Sequence, residues 1–308
     1  MKELRQIQFF LLLAFALSCR AACPAPLAAP TRPLAVAATI FPLADIIRNI
    51  TGDGVQVLQI LPAGASPHTF DLTPGKVREL QKARLIFKIG VIDDWIDSVA
   101  ESAPGAEIIS LHGHIALKPF HDDAHHHGVT KTAQRMEFDP HYWLDARNGA
   151  IIAQNICARL NALDPVHADL YSKNCRHYQD ELLRLDSELK KSCAALKNRK
   201  LIVFHDGWRY FAAAYGLEIL AVFQPAPGRE PAPRDLQRLY AVARANKIKV
   251  VFSEPQLPTE SLEPLLEDLD LRLSILDPLG GAVAGDSYIG LLRRNIQVIL
   301  RADRLQSP

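Results

Sequence analysis

Apolar residues along this chain come in two kinds of run. Short, largely apolar stretches at 34–40 (LAVAATI), 55–61 (VQVLQIL), 84–89 (RLIFKI) and 107–110 (EIIS) have strand length and composition. Between them, 43–50 (LADIIRNI), 75–83 (GKVRELQKA) and 93–102 (DDWIDSVAES) show helical spacing. Thr73-Pro74 supplies an N-cap with proline in the first turn. The second half repeats the alternation, with strands at 200–204, 218–223, 248–252 and 271–276. Helices are expected there over 207–215, 234–246, 259–269 and 286–303. Strands that alternate with helices and are apolar on both faces imply parallel sheets covered by helices. The fold class is therefore α/β, with two lobes of four mainly parallel strands each.

Residues 164–197 carry a third pattern. Tyr171, Cys175, Tyr178, Leu182, Leu185, Leu189, Cys193 and Leu196 recur at steps of four and three, one stripe on one long helix. A helix over that whole stretch would span roughly 50 Å, enough to join the lobes. The expected organisation is an N-terminal lobe over 30–162, a linking helix over 163–198 and a C-terminal lobe over 199–308. Cys175 and Cys193 would lie roughly 27 Å apart on such a helix, beyond disulfide reach. Together with Cys157 they are read as packing residues.

The first residues follow a different logic. Lys2 and Arg5 precede the apolar run 9–17 (FFLLLAFAL), and a tail rich in alanine and proline follows. This pattern reads as a cleaved secretory signal over 1–29. The run is shorter than the roughly 20 residues a bilayer span needs. Cys19, after Ala16-Leu17-Ser18, is a candidate lipid-attachment site.

Composition narrows the function. The 308 residues carry 35 Lys and Arg against 34 Asp and Glu. That balance leaves no electrostatic footprint for nucleic acid. Histidine is the informative residue. Six of eleven fall within 112–130: His112, His114, His121, His125, His126 and His127. The surrounding stretch, 112–137, shows no periodicity and reads as a loop. Ordering such a loop around a metal would cost about 1–2 kcal/mol per residue, so it is an accessory collector and not the main site.

Three other histidines sit at better-built places. His68 follows the second strand, His141 precedes the helix after the loop, and His205 ends the first strand of the second half. Asp277 follows the last strand. Open α/β sheets place ligand sites beyond the carboxyl ends of their strands. A cleft between lobes could unite these four, and three imidazoles with one carboxylate suit tetrahedral Zn²⁺. Asp139, Asp145 and Asp206 lie next to these histidines in sequence and can orient the rings or cap helices.

The segments PHTFDLTP, DPHYWLD, FHDGWRYFAAAYGL, VVFSEPQ, LDPLG and GDSYIGLLRRNIQVI resemble, in order, the metal-specific solute-binding proteins of ABC importers. The resemblance runs from about residue 34 to 303 and is closest to the zinc branch. It implies Zn²⁺ or Mn²⁺ held between two lobes by His68, His141, His205 and Asp277. Manganese-handling members tend to carry glutamate at the third position, so His205 favours zinc; imidazole donors do the same. Water or a neighbouring glutamate completes the site in some zinc-type members. Pro67 stands where one such glutamate would be.

The implied partners are a membrane permease and its cytosolic ATPase. The chain itself carries no G-x-x-x-x-G-K-[ST] loop, and it is expected to act as a monomer. Four alternatives remain: a manganese receptor of the same family, an adhesin, a periplasmic metal store or chaperone, and a zinc hydrolase. For the hydrolase there is no H-E-x-x-H helix, and Glu254 is the general-base candidate. The expectation is a non-enzymatic receptor.

Overall fold

The structure, a computed structural model, describes residues 33–119, 138–224, 233–257 and 263–306. The signal segment, Cys19, His121, His125, His126 and His127 lie outside the described residues.

Eight strands form two sheets. β1 (Leu34–Ala38), β2 (Val55–Gln59), β3 (Leu85–Lys88) and β4 (Glu107–Ser110) pair in the order β2-β1-β3-β4, all parallel. β5 (Lys200–His205), β6 (Glu218–Gln224), β7 (Val250–Ser253) and β8 (Arg272–Ile275) repeat this as β6-β5-β7-β8, again parallel. Eight helices are described: α1 (Phe41–Thr51), α2 (Pro74–Leu80), α3 (Ala146–Leu163), α4 (Ala168–Ala194), α5 (Arg209–Tyr215), α6 (Pro233–Ala245), α7 (Glu263–Asp268) and α8 (Tyr288–Gln306).

Both sheets are covered on both faces, which is why their strands read as apolar runs. Successive side chains point to opposite faces. Val36, Ala38, Leu85 and Phe87 enter a core shared with α1, α3 and α4, while Ala37 and Ile86 enter a separate core on the outer face. The second sheet does the same. Leu201, Val203, Val250 and Phe252 join the shared core, and Ile202, Phe204 and Val251 the other. One continuous core thus runs from the inner face of one sheet to the inner face of the other.

The helix starts follow their sequence cues. Thr73 accepts from the Lys76 amide at 3.3 Å, with Pro74 in the first turn. Asp145 caps α3 through the Arg147 amide at 2.9 Å. Gly216 ends α5 in the left-handed region, φ 67°, where a side chain would cost energy.

Two expectations are corrected. The segment expected as a helix over 93–102 is a 3-10 stretch, Asp94–Val99. There the side chains of Asp93 and Asp94 accept the amides of Ile89, Gly90 and Val91, so they hold the preceding turn instead of an α-helical start. The linking helix is also shorter. Pro165–His167 is a separate 3-10 turn and α4 runs from Ala168 to Ala194, 27 residues, or about 40 Å. The α3 and α4 helices therefore meet as an antiparallel hairpin. Even so, α4 packs along α1, α3, α5 and α8, elements of both lobes.

Asp45 ties these elements together. Buried at 8% exposure in α1, its Oδ2 accepts from the Tyr288 amide of α8 at 2.9 Å and from the Tyr178 hydroxyl of α4 at 3.3 Å. Burial raises its pKa, and these bonds oppose the rise.

Candidate metal centre

In each sheet the chain reverses its winding between the two central strands. The crevice beyond their carboxyl ends is the natural ligand position. In the first sheet that crevice is closed. Thr39, just after β1, donates to Asp93 Oδ2 at 2.6 Å, and the Ile89 and Gly90 amides complete the lock. In the second sheet it is used. His205 ends β5 and Glu254 directly follows β7, with His205 Nδ1 at 3.3 Å from Glu254 Oε1.

The first lobe contributes from longer connections. His68 comes from the segment between β2 and α2, and His141 from the turn before α3. The three imidazoles converge. Ring centroids are 5.5 Å apart for His68 and His141, 5.0 Å for His68 and His205, and 5.0 Å for His141 and His205. One nitrogen from each lies within 4.8 Å of the others. A dication with Zn–N bonds of roughly 2.0–2.1 Å needs ligand nitrogens no farther apart than about twice that length, so a small inward movement suffices.

Carboxylates orient two of the rings. Asp139 Oδ1 accepts the His141 amide at 2.9 Å and contacts His141 Nδ1 at 2.9 Å. Glu254 Oε1 accepts from Trp208 Nε1 at 2.8 Å while facing His205 Nδ1. In both cases Nδ1 carries the donated proton and Nε2 is left as the ligating atom, the usual way a protein fixes a metal-binding tautomer. Glu254, a general-base candidate by sequence, thus has its Oε1 occupied as a positioning group.

His141 is 3% exposed and His205 6%, whereas His68 is only partly buried. His68 is therefore the most accessible of the three rings. Burial together with the neighbouring His205 and His141 holds the His68 pKa well below its ordinary value. Burial also depresses His205, but the charge and hydrogen bond of Glu254, aided by Asp206 and Asp139, outweigh it and raise its pKa. For Asp139 the bonds from His141 outweigh burial and lower the pKa; Asp206 is raised by burial.

Gly207 is a requirement of this packing. A Cβ there would stand 3.0 Å from Cε1 and Nδ1 of His205 and 3.2 Å from Cδ2 of His141. Trp143 closes another wall. Its ring lies 5.3 Å from that of His141, and its Nε1 donates across the cleft to the Pro278 carbonyl at 2.8 Å.

Asp277 is not brought into the cluster. Its Oδ1 accepts the Leu279 and Gly280 amides at 3.0 and 2.9 Å, capping the turn after β8. His112 and His114 also stand apart: His112 Nδ1 contacts Ser110 Oγ at 3.0 Å, and His114 is exposed. Sequence reasoning missed Trp208 and Gly207. Both lie in the FHDGW segment beside His205, which was the available signal.

The architecture has close counterparts among solved proteins. A structure described as the crystal structure of ZnuA superposes with a TM-score of 0.77 at 28% identity, covering 88% of this chain and 99% of that one. A deletion mutant of ZnuA with zinc bound gives 0.75 at 28% identity, covering 88% and 98%. Such likeness over nearly the whole fold defines the class, the metal-binding substrate-binding proteins of ABC transporters. The family model described as "ZnuA: Zinc-uptake complex component A periplasmic" matches residues 36–302, and the chain belongs to that family.

Relatives named for either metal are similar to it. The manganese ABC transporter substrate-binding lipoprotein PsaA of Streptococcus mitis is 29% identical over 286 residues, 88% of this chain and 90% of that protein. The high-affinity zinc uptake system protein ZnuA of Brucella abortus (strain 2308) is 28% identical over 297 residues, 84% and 88%. The family is one of transport components that work with an ABC permease and its ATPase.

Proposed function

We propose that this chain is an extracytoplasmic Zn²⁺ receptor. It captures the ion between its lobes with His68, His141 and His205 and delivers it to an ABC permease driven by a cytosolic ATPase. The observation that carries this reading is the convergence of three imidazole nitrogens within 4.8 Å, two of the rings steered by buried carboxylates. A donor set this rich in nitrogen favours Zn²⁺ over Mn²⁺, which prefers carboxylate, carbonyl and water oxygen. The leader exports the protein, Cys19 is the candidate lipid anchor, and the mature chain acts as a monomer. Among the described residues no helix is long and apolar enough to cross a membrane. The histidines of 112–137 gather metal as an accessory.

Release requires the lobes to part, because the ligands come from both. Capture is simpler: an ion entering past His68 meets two rings already oriented by carboxylates. Native mass spectrometry of the mature chain with equal Zn²⁺ and Mn²⁺ tests the metal. Retention of one Zn²⁺ is expected, and retention of Mn²⁺ would overturn the assignment.

The fourth position is tested separately. Asp277→Asn lowering Zn²⁺ affinity tenfold or more, about 1.4 kcal/mol, assigns that position to Asp277. An unchanged affinity assigns it to water.

Proton competition gives a further expected result. A ligating imidazole must be neutral, and the raised pKa of His205 means that ring still holds a proton where His68 has lost its own. Zn²⁺ affinity therefore falls as pH drops from about 8 to 5, with His205 the first ring to compete. Calorimetry in buffers of different ionisation enthalpy should show protons released on binding; a heat independent of buffer counts against histidine ligation.

A further inference from the structure

We propose that Cys157 and Cys175 are a disulfide-forming pair that staples α3 to α4 under oxidising conditions. The three cysteines of the folded region are free thiols, all buried, and two of them face one seam. Gln179 of α4 donates to the Ala150 carbonyl of α3 at 3.0 Å, Cys175 donates to the Ala153 carbonyl at 3.4 Å, and Asn161 of α3 donates to Ser172 Oγ at 2.9 Å. These contacts set the two helices antiparallel, with the Cys175 thiol against the α3 turn that runs from Ala153 to Cys157. Asn161 donates to Cys157 Sγ at 3.7 Å as well as to Ser172 Oγ, so the Cys157 thiol faces the turn of α4 that holds Ser172 and Cys175.

The helices approach closely where the buried residues of α3 are small: Ala150 and Ala153, whose carbonyls α4 reaches, lie among the larger buried residues Ile152, Ile156 and Leu160. Side chains of α4 that reach backbone carbonyls of α3 are a direct sign of that approach. A disulfide needs Cα atoms within roughly 4.4–6.8 Å, and a seam of small residues is where two helices can supply it. The nearby Cys175 thiol lowers Cys157 to about 7, whereas burial pushes Cys193 up to about 11. Cys193 sits 18 positions farther along the same helix, roughly 27 Å away.

The reaction is thiol–disulfide exchange. One thiolate attacks an external disulfide and expels one thiol. The second cysteine then attacks the mixed disulfide, forming the Cys157–Cys175 bond and expelling the other. Two electrons and two hydrogens pass to the oxidant. Cys157 and Cys175 are 3% and 1% exposed, so the exchange belongs to folding, before the hairpin closes, and the finished bond is shielded from reductants. In the cell the oxidant follows from the export reading above, because disulfides persist in oxidising compartments. In the test it is glutathione disulfide, so failure of export and failure of the pair are told apart. The bond would hold the helix that follows His141 to the helix that joins the lobes.

The test refolds the Cys193→Ser form of the mature chain, residues 30–308, which keeps only Cys157 and Cys175, in glutathione and glutathione disulfide, with a parallel sample in reductant. Intact mass, alkylation after denaturation and peptide mapping then count thiols. The expected product has lost two hydrogens, has no alkylatable thiol and yields one linked peptide pair. Its melting temperature should exceed that of the reduced sample by about 5–10 °C, with Zn²⁺ affinity the same within about threefold. Two alkylatable thiols, or only glutathione adducts, in protein with native circular dichroism overturns the pair. A cross-linked product that takes up no Zn²⁺ supports the pair and counts against the metal reading instead.

Discussion

The His205→Ala chain is expected to bind Zn²⁺ on the order of 10²–10³-fold more weakly than the parent. Structural zinc sites contribute about 10–16 kcal/mol. Shared over four positions that is about 2.5–4 kcal/mol per ligand, and each 1.4 kcal/mol is tenfold. The loss is compounded here because Glu254, 5% exposed, keeps only Trp208 of the two partners its Oε1 now has. A buried carboxylate deprived of a partner costs stability as well as geometry. Competition with a chelator of known affinity measures the change, and a melting curve without metal separates it from unfolding. A variant that still takes up Zn²⁺ at parental affinity would remove His205 from the site.

Gly149→Ala should lower the melting temperature by several degrees, although alanine is ordinarily the better helix residue by about 1 kcal/mol. The reason is local. A Cβ at position 149 would stand 2.6 Å from the Tyr288 hydroxyl and 2.7 Å from its Cε1. Tyr288 cannot easily yield, being fully buried, with its amide on Asp45 and its hydroxyl donating to the Trp143 carbonyl. Overpacking costs about 1–3 kcal/mol, and freeing a buried hydroxyl and carbonyl about 1–3 more. After the gain in helix propensity the net loss is about 1–5 kcal/mol. At this size that is about 2–20 °C. Because Trp143 packs on His141 and donates to Pro278, Zn²⁺ affinity should fall too. An unchanged melting curve would show that α3 and α8 separate more readily than their packing implies.

Much of the architecture was legible because the relevant signals are local. Strands buried on both faces are apolar at every position, and the helices between them carry a 3.6-residue stripe, so the two lobes follow from short windows. The errors were local conflicts. Asp93 and Asp94 lie inside an apparently helical window, yet their side chains serve the backbone of the turn before it. Pro165 opens a 3-10 turn instead of the long helix, which makes the α3–α4 hairpin possible and sets Cys157 beside Cys175.

The sequence by itself determined the strand–helix order, the two parallel sheets and the strand-end placement of His205, with His68 and His141 on the connections beyond β2 and β4. These depend on residue type and on spacing of a few positions. Only the tertiary structure decided which groups meet. It drew three imidazoles together from loops 73 and 64 positions apart (68 to 141, 141 to 205). It set Glu254 on His205, turned Asp277 to the amides of Leu279 and Gly280, and closed the first sheet's crevice with Thr39 and Asp93. Those outcomes depend on how far apart two sheets are held and how each turn spends its hydrogen bonds. No single stretch of chain contains that information.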